Sequence, residues 1–453
     1  MDLKILNSKY ACYVAVFGGF LVHISLGGIF TYGSMFPYIL QYMNLNQTNV
    51  RVVHPTDVGW IIGMATFGRG ASMSLGGFIE HRLGASFTIV TGGFIMSFGY
   101  ILTYFTISLH IIPVAVSYGL IVGIGTGIAY GVAMTIPTQW FPKHPGLLSG
   151  IILSGFGIGS VGFDLIHSYF IDDDITNSTL VNPSRVPVSF IAMGCIYFMI
   201  QLIAAPLIKR PETVEESVNQ NNLNIFGETT KIELKPHQLI FYVNFWIIWI
   251  TYALNSAFSL LFILLQKMWG KYLEISDLRL LIATCTGGIF SIFGRIIWGY
   301  LTDRFGYKIV IWTSTLLFAI MFSTFYICSE VGKLSTPNGN NRFAMYLIWV
   351  IIMFFLISGN FSIFPAICAK VFGIQHFTGN FGVLYTGYSF TAVITPIIVL
   401  RVFADQDTKT LFLTTFIIGS IISILSLLVS LFYNQSYHKK IFFGKTTKVS
   451  QAN

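Results

Sequence analysis

Three ionisable residues stand inside long apolar runs: Arg69, Asp164 and Arg295. Arg295 is flanked by Ile292, Phe293, Ile296 and Ile297. An arginine at membrane depth costs about 2.5–3.5 kcal/mol or more, so it faces a cavity or a partner. Its planar fork can grip a carboxylate with two parallel hydrogen bonds. The alternative is a structural arginine held by backbone carbonyls or a buried acid. Arg69 sits in Phe67-Gly68-Arg69-Gly70. It either lines the same cavity as a second cation or pairs with Asp164. Asp164 itself is a candidate proton-carrying carboxylate; otherwise it is a helix-end residue reached by water, close to Asp172–Asp174. Tyr32, Tyr130 and Tyr385 are candidates for the wall of a small cavity, since apolar walls with a few placed donors suit a small organic anion. His23 and His167 read as satisfied core histidines.

The segments that carry these residues are set by composition. Of 453 residues only 10% are charged, against 54% hydrophobic and 16% aromatic, and a soluble domain carries about 25% charged residues. So few charges cannot cover the surface of a soluble fold. A soluble enzyme, a disordered chain and a nucleic-acid binder are excluded. The five cysteines, Cys12, Cys195, Cys285, Cys328 and Cys368, all lie in apolar runs. Their spacing suggests neither a metal site nor a disulfide framework. No metal or cofactor is expected.

Twelve apolar segments predict an all-α membrane protein: 10–42, 57–79, 85–108, 111–140, 147–170 and 187–208, then 239–267, 278–301, 307–328, 343–371, 379–403 and 410–433. Each is long enough to span a bilayer at about 20 residues per crossing. Alternating polar faces, the mark of a membrane β-barrel, are missing. The expected organisation is a six-helix bundle over 1–208, a polar linker over 209–238, a second six-helix bundle over 239–434 and a tail over 435–453. The segment following Met1–Lys9 reads as a retained first helix rather than a cleaved leader.

An even helix count puts both termini on one side. Of the 26 Lys and Arg, 15 fall on that side and 9 on the other, which predicts cytosolic termini. Asn46-Gln-Thr48 and Asn177-Ser-Thr179 would then be glycosylation acceptors in non-cytosolic loops.

The two halves echo each other. Gly77-Phe-Ile-Glu80-His81-Arg82-Leu-Gly84 closes the second segment, and Gly299-Tyr-Leu-Thr-Asp303-Arg304-Phe-Gly306-Tyr-Lys308 closes the eighth. Repeats of this kind are the pattern of transporters that rock two bundles around a central site. The glycines permit close approach. Asp303 and Arg304 are candidates for a charged latch to a neighbouring helix end. In the first copy His81 stands at the acid's place with Glu80 before it, so that latch, carried by Glu80 and Arg82, is expected to be weaker or differently wired.

The second junction closely resembles the loop motif of the major facilitator superfamily. Further strings narrow the likeness: Gly123-Ile-Gly-Thr-Gly127-Ile-Ala-Tyr130-Gly131, Gln139-Trp140-Phe141-Pro142-Lys143, Phe293-Gly294-Arg295-Ile-Ile-Trp298-Gly299, and Gly379-Asn380-Phe381-Gly382-Val-Leu384-Tyr385-Thr386. Together they resemble the oxalate/formate antiporter branch and its monocarboxylate-porter neighbours. The resemblance implies twelve helices in two bundles. It implies that Arg295 binds a substrate carboxylate, and that aromatics of helices one, four and eleven (here Tyr32, Tyr130 and Tyr385) wall the site.

Two departures from the family pattern shape the expectation. Oxalate-type members carry a lysine after the helix-eleven Tyr-Thr pair; this chain reads Tyr385-Thr386-Gly387-Tyr388. A single cation suits a monoanion, because uncompensated charge is costly in low dielectric. Tyr388 would then donate a hydrogen bond to the substrate. A second cation at Arg69 weakens that reasoning. Animal-type monocarboxylate porters carry an aspartate one turn before the arginine, tied to proton coupling; here it is Ser291.

The expected activity is secondary transport of small monocarboxylates of the pyruvate, lactate or formate type. It would work by alternating access, with a proton or counter-anion as partner. A carrier for another organic anion or an amino acid is the alternative within the class. A non-transporting receptor or accessory subunit is the alternative outside it. An enzyme is not expected, since no nucleophile–base constellation or phosphate loop is present. The protein would sit in the bilayer of the plasma membrane or of an organelle such as a plastid, as a monomer or small oligomer.

Overall fold

The computed structural model describes residues 3–46, 55–171, 185–211, 233–335, 339–402 and 408–433. The tail over 435–453, most of the linker, both glycosylation triplets beyond Asn46 and the acids Asp172–Asp174 lie outside the described residues. The described chain is helical throughout. In the first half the helices are α1 (Leu3–Leu26), α2 (Tyr32–Asn46), α3 (Pro55–Leu83), α4 (Ala85–Thr106), the short α5 (Ile111–Val114), α6 (Val122–Thr138), α7 (Pro145–Ile171) and α8 (Arg185–Ala204). The second half holds α9 (Val243–Tyr272), α10 (Asp277–Phe305), α11 (Tyr307–Ser335), α12 (Gly339–Phe372), α13 (Phe377–Val402) and α14 (Thr408–Leu431).

Two joints modify this order. A 3-10 turn, Gly27–Thr31, joins α1 to α2, and a π-helical stretch, Ala115–Ile121, joins α5 to α6. The first joint has a packing cause. Gly27 lies against the α7 backbone at Phe156 and Ser160, where a Cβ would come within 2.8 Å of the Ser160 nitrogen. The shift from 3.6 to 3.0 residues per turn rotates everything that follows.

Among the described residues, ten helices are long and apolar enough to cross a membrane. α3 and α13 are as long as their neighbours; α3 is diluted by Arg69 with Gly, Ser and Thr, and the first half of α13 by Gly, Ser, Thr and Asn. These two helices pack on each other, and α7 packs on α10. The pairs form two seams between the halves, both antiparallel. Along the first seam Gly77 meets Gly379, Ser74 meets Gly382, and Gly70 meets Ser389. Along the second Gly146 meets Gly299, Gly150 meets the Arg295 backbone, and Gly157 meets Ile292. Small residues let the backbones touch, so dispersion and close packing hold the seams where lipid offers no hydrophobic drive.

The repeat is visible in the backbone. Gly84 and Gly306 end the two junctions with φ of +84° and +82° and ψ of 165° and 159°. Only glycine visits this region freely. The end of the bundle that holds Leu83, Pro145, Phe305 and Phe372, together with the start and finish of the linker, is called here the linker face.

Candidate functional site

Arg69 and Arg295 enter the middle of the molecule from opposite halves, on α3 and α10. Both are buried, at 2% and 6% exposure. The Arg69 guanidinium lies over Tyr385 at 5.3 Å and over Tyr388 and Phe30 at 5.7 Å. That of Arg295 lies over Phe361 at 5.3 Å and Phe156 at 5.7 Å. Cation–π attraction of this kind holds a desolvated guanidinium without neutralising it.

The rings form one continuous wall. Phe30 meets Phe156 at 4.9 Å, Tyr130 meets Phe156 at 6.0 Å and Tyr385 at 6.1 Å, and Phe361 meets Tyr388 at 5.8 Å. Tyr252 of α9 closes the wall, stacked on Phe364 at 4.1 Å and 6.1 Å from both Tyr385 and Tyr388. His23 stands edge-on to Tyr130 at 5.0 Å.

This site is rich in donors that lack acceptors. Arg295 Nη1 donates to the Leu153 carbonyl across the seam. Its Nε, the Nε of Arg69 and the hydroxyls of Tyr252 and Tyr385 are buried with no hydrogen-bond partner. Among the described residues the ion pairs are Arg210–Glu80, Arg342–Glu274 and Lys370–Asp303, and neither buried arginine belongs to one. Each unsatisfied buried donor costs about 1–3 kcal/mol. An anion with several oxygens would satisfy the set.

The expected site residues divide as follows. Arg295, Arg69, Tyr130, Tyr385 and Tyr388 come together. Tyr32 is buried at the start of α2, its ring 5.7 Å from Tyr118 in a cluster with Tyr100 and Tyr197. It is Phe30, in the 3-10 turn, that lies on Arg69. Asp164 is half-buried on α7, two turns beyond Gly157, within electrostatic reach of Tyr118, Tyr197 and Cys285. His167, on the next turn, is fully buried with both ring nitrogens unpartnered. Ser291 is buried one turn before Arg295. It stands eight residues before Gly299, as Arg69 stands eight before Gly77, so the two halves carry a serine and an arginine at equivalent places.

The second junction makes a latch between the halves. The Asp303 carboxylate accepts from the backbone nitrogens of Gly146 at 3.1 Å and Leu147 at 2.8 Å. Lys370 of α12 pairs with it at 3.0 Å. An acid at a helix N-terminus satisfies orphan donors and complements the dipole. Gly299 packs on the Gly146 backbone and allows this approach. Arg304 is exposed and donates to Tyr300 on its own helix at 3.0 Å. Three further bonds cross between halves on this face: Thr135 with Thr378 at 2.5 Å, Gln139 to the Ile374 carbonyl at 3.4 Å, and the Ser74 hydroxyl to the Gly379 carbonyl at 3.5 Å.

The first junction is wired differently. Glu80 is buried and pairs with Arg210, at the start of the linker, at 2.7 Å. Arg82 lies over Phe78 at 4.3 Å. The backbone nitrogens of Ile374 and Gln375, ahead of α13, are taken by Glu233 from the end of the linker, at 3.2 and 3.0 Å. Burial pushes the Glu233 carboxyl up, and those two amides pull it back.

Two antiparallel glycine seams, a central pair of buried cations and a repeated junction define an all-helical membrane protein with an internal repeat. The Major Facilitator Superfamily pattern matches residues 17–297 and again 269–451, and the chain belongs to that family. It is a multi-pass membrane protein of a transporter family. It is 23% identical to the apicoplast pyruvate carrier 1 of Toxoplasma gondii, over 81% of this chain and 79% of that protein. It is 23% identical to the oxalate:formate antiporter of Oxalobacter formigenes, over 68% and 66% of the two chains. Among solved structures it is similar to a proton:xylose symporter, with a TM-score of 0.71, 14% identity, and coverage of 96% of this chain and 98% of that one. The human organic anion transporter is also similar, with a TM-score of 0.63, 13% identity, and coverage of 93% and 99%.

Proposed function

We propose that this protein is a secondary transporter that moves small monocarboxylates of the pyruvate, lactate or formate type across its membrane by alternating access. Its substrate sits between Arg295 and Arg69 within the tyrosine wall. The observation that carries this reading is the pair of buried guanidiniums, surrounded by orphaned donors and with no carboxylate paired to either among the described residues. A carboxylate supplies both the charge and the acceptors that such a site lacks. The pyruvate carrier and the oxalate:formate antiporter are relatives whose names fit that chemistry.

In this reading α3 and α13 complete twelve spans in two six-helix bundles. The Lys and Arg excess on the linker face supports a cytosolic position for that face and both termini. The Asp303 latch and the three inter-half bonds on the same face hold the cytosolic side closed in the state described. Asp164 stands two turns from the central site, where a proton would bind beside the substrate path rather than on the substrate.

A second reading has its own support. Arg69 supplies the cation that the missing helix-eleven lysine would have supplied, so the site carries two positive charges. Two cations also suit a dianion such as oxalate. Counterflow in proteoliposomes with labelled pyruvate, lactate, formate and oxalate, each at two pH values, separates the readings. Exchange of pyruvate with little exchange of oxalate supports the first, and the reverse supports the second. No exchange of any carboxylate overturns both.

A further inference from the structure

The two junctions of the repeat end in different chemistry on the same face. In the second, Asp303 of one half caps the first turn of α7 in the other half. In the first, the residue at the equivalent place is His81, and it faces His376, with ring centroids 5.8 Å apart. His81 belongs to the first half and His376 to the second. The pair therefore spans the closed gate, beside the contact of Gly77 with Gly379.

His376 is the residue immediately before α13, and its carbonyl accepts from the Asn380 nitrogen at 2.9 Å. His376 thus lies at the N-terminal, positive end of a helix of 26 residues, whereas His81 lies in the last turn of α3, at its negative end. A cation at His376 opposes the α13 dipole, whereas an acid would complement it. The carboxylate that could have offset a charge is already engaged. Glu233 is bound to the Ile374 and Gln375 amides, and Glu80 is bound to Arg210.

The basic groups around His376 are Lys235, Arg210 and His237 from the linker side, and the acids beside the pair are Glu233 and Glu80, each already bound. Burial, then His81, Lys235, Arg210 and His237, hold the His376 imidazole below its ordinary value in the closed state. His81 is exposed and His376 half-buried, so protons reach both from the aqueous side.

We propose that the His81–His376 pair is a proton-sensitive element of the linker-face gate, which loosens that gate when the adjoining compartment becomes acidic. With both rings neutral, the pair packs and the halves close. With both charged, like charges and the α13 dipole repel across the seam. Opening separates the two halves and relieves that repulsion, so the open state takes up protons more readily. The closed state is favoured above the pKa values of both states and loses that advantage as pH falls through them. The gate thus has two fastenings of different chemistry, the Asp303 carboxylate in one seam and the imidazole pair in the other. The proposal rests on the transporter reading only in requiring that the linker face opens and closes.

The test measures the gate without substrate. Nitroxide labels are placed at the exposed positions Leu83 and Phe432, one in each half, by Leu83→Cys and Phe432→Cys in full-length protein whose native cysteines are replaced. Distances are recorded by pulsed EPR in lipid at pH 7.5 and pH 5.5. A difference of one pKa unit between two states changes their ratio by about tenfold. The expected result is a rise of about three- to tenfold in the long-distance population on acidification. His81→Gln with His376→Gln should abolish the response. His81→Asp should invert it, because a charged His376 would then be attracted across the seam. Unchanged distances in the parent, or the parental response retained in the double variant, would overturn the proposal. Carboxylate counterflow on the same samples reports the transport reading separately, since its loss leaves the distance measurement intact.

Discussion

Replacing Asp303 by Asn tests the latch quantitatively. The carboxylate is almost fully buried, with 4% side-chain exposure, and it fastens the α7 N-terminus through two backbone bonds of 3.1 and 2.8 Å. Asn keeps the size and one acceptor oxygen but removes the charge. It therefore loses one bond and weakens the other. Lys370 adds little, since its side chain is 35% exposed and such pairs are screened by water. Bonds to a charged acceptor contribute about 1.5–3 kcal/mol each, and water recovers part of this when the gate opens. The net shift toward the open gate is about 1–2 kcal/mol, or about 5- to 30-fold in the ratio of states. The assay is alkylation of a cysteine placed by Thr378→Cys, a position buried in the seam at 4% exposure. The rate is read by mass spectrometry with and without Asp303→Asn. Faster alkylation by about that factor is expected. An unchanged rate would refute the latch, and with it the view that this seam is the moving surface.

Three further outcomes follow from the same geometry. Arg69→Gln should lower oxalate exchange at least about tenfold more than pyruvate exchange, because it removes the second cation; an equal loss for both, measured by competitive counterflow, would mean that Arg69 reads no charge difference. Tyr252→Phe removes a buried hydroxyl that has no partner in the described state. It should leave the melting temperature unchanged while raising the KM for the carboxylate about 3- to 10-fold, the cost of one hydrogen bond. Gly299→Leu places a side chain against the Gly146 backbone. It should prevent the linker face from closing and lower thermal stability, seen as a drop in Tm by scanning fluorimetry in detergent, whereas Gly84→Ala, where nothing lies within 4 Å but φ is +84°, should cost about 1–3 kcal/mol through backbone strain alone.

Much of this organisation is legible from the amino-acid sequence, for physical reasons. A charge in an apolar run is expensive, so Arg295 stood out and does lie at the centre. The Asp303 motif was legible because a short loop between two spans must meet whatever helix end lies beside it. Other parts depend on partners far away in the chain. Arg69 left two readings open because α3 is small and apolar on every side and shows no face; only its seam with α13 turns the guanidinium toward Tyr385 and Tyr388. The resemblance suggested Tyr32 for the wall, but the 3-10 turn at Gly27–Thr31 changes the phase and presents Phe30 instead. Glu80 finds Arg210 and the Ile374 amide finds Glu233, both linker residues that no local pattern predicts. Tyr252, Phe156 and Phe361 went unread because, among 42 Phe and 22 Tyr, nothing local separates wall from packing. Lys370 was visible only as a charge at the end of its segment.

The central claim is that Arg295 holds the substrate carboxylate. Pyruvate counterflow into proteoliposomes by the full-length protein, compared with Arg295→Lys and Arg295→Gln, tests it most directly. Exchange by the parent is expected, with an at least about tenfold loss in Arg295→Lys, which keeps the charge but not the fork, and loss to background in Arg295→Gln. Parental exchange rates in Arg295→Gln, with the protein folded, would contradict it.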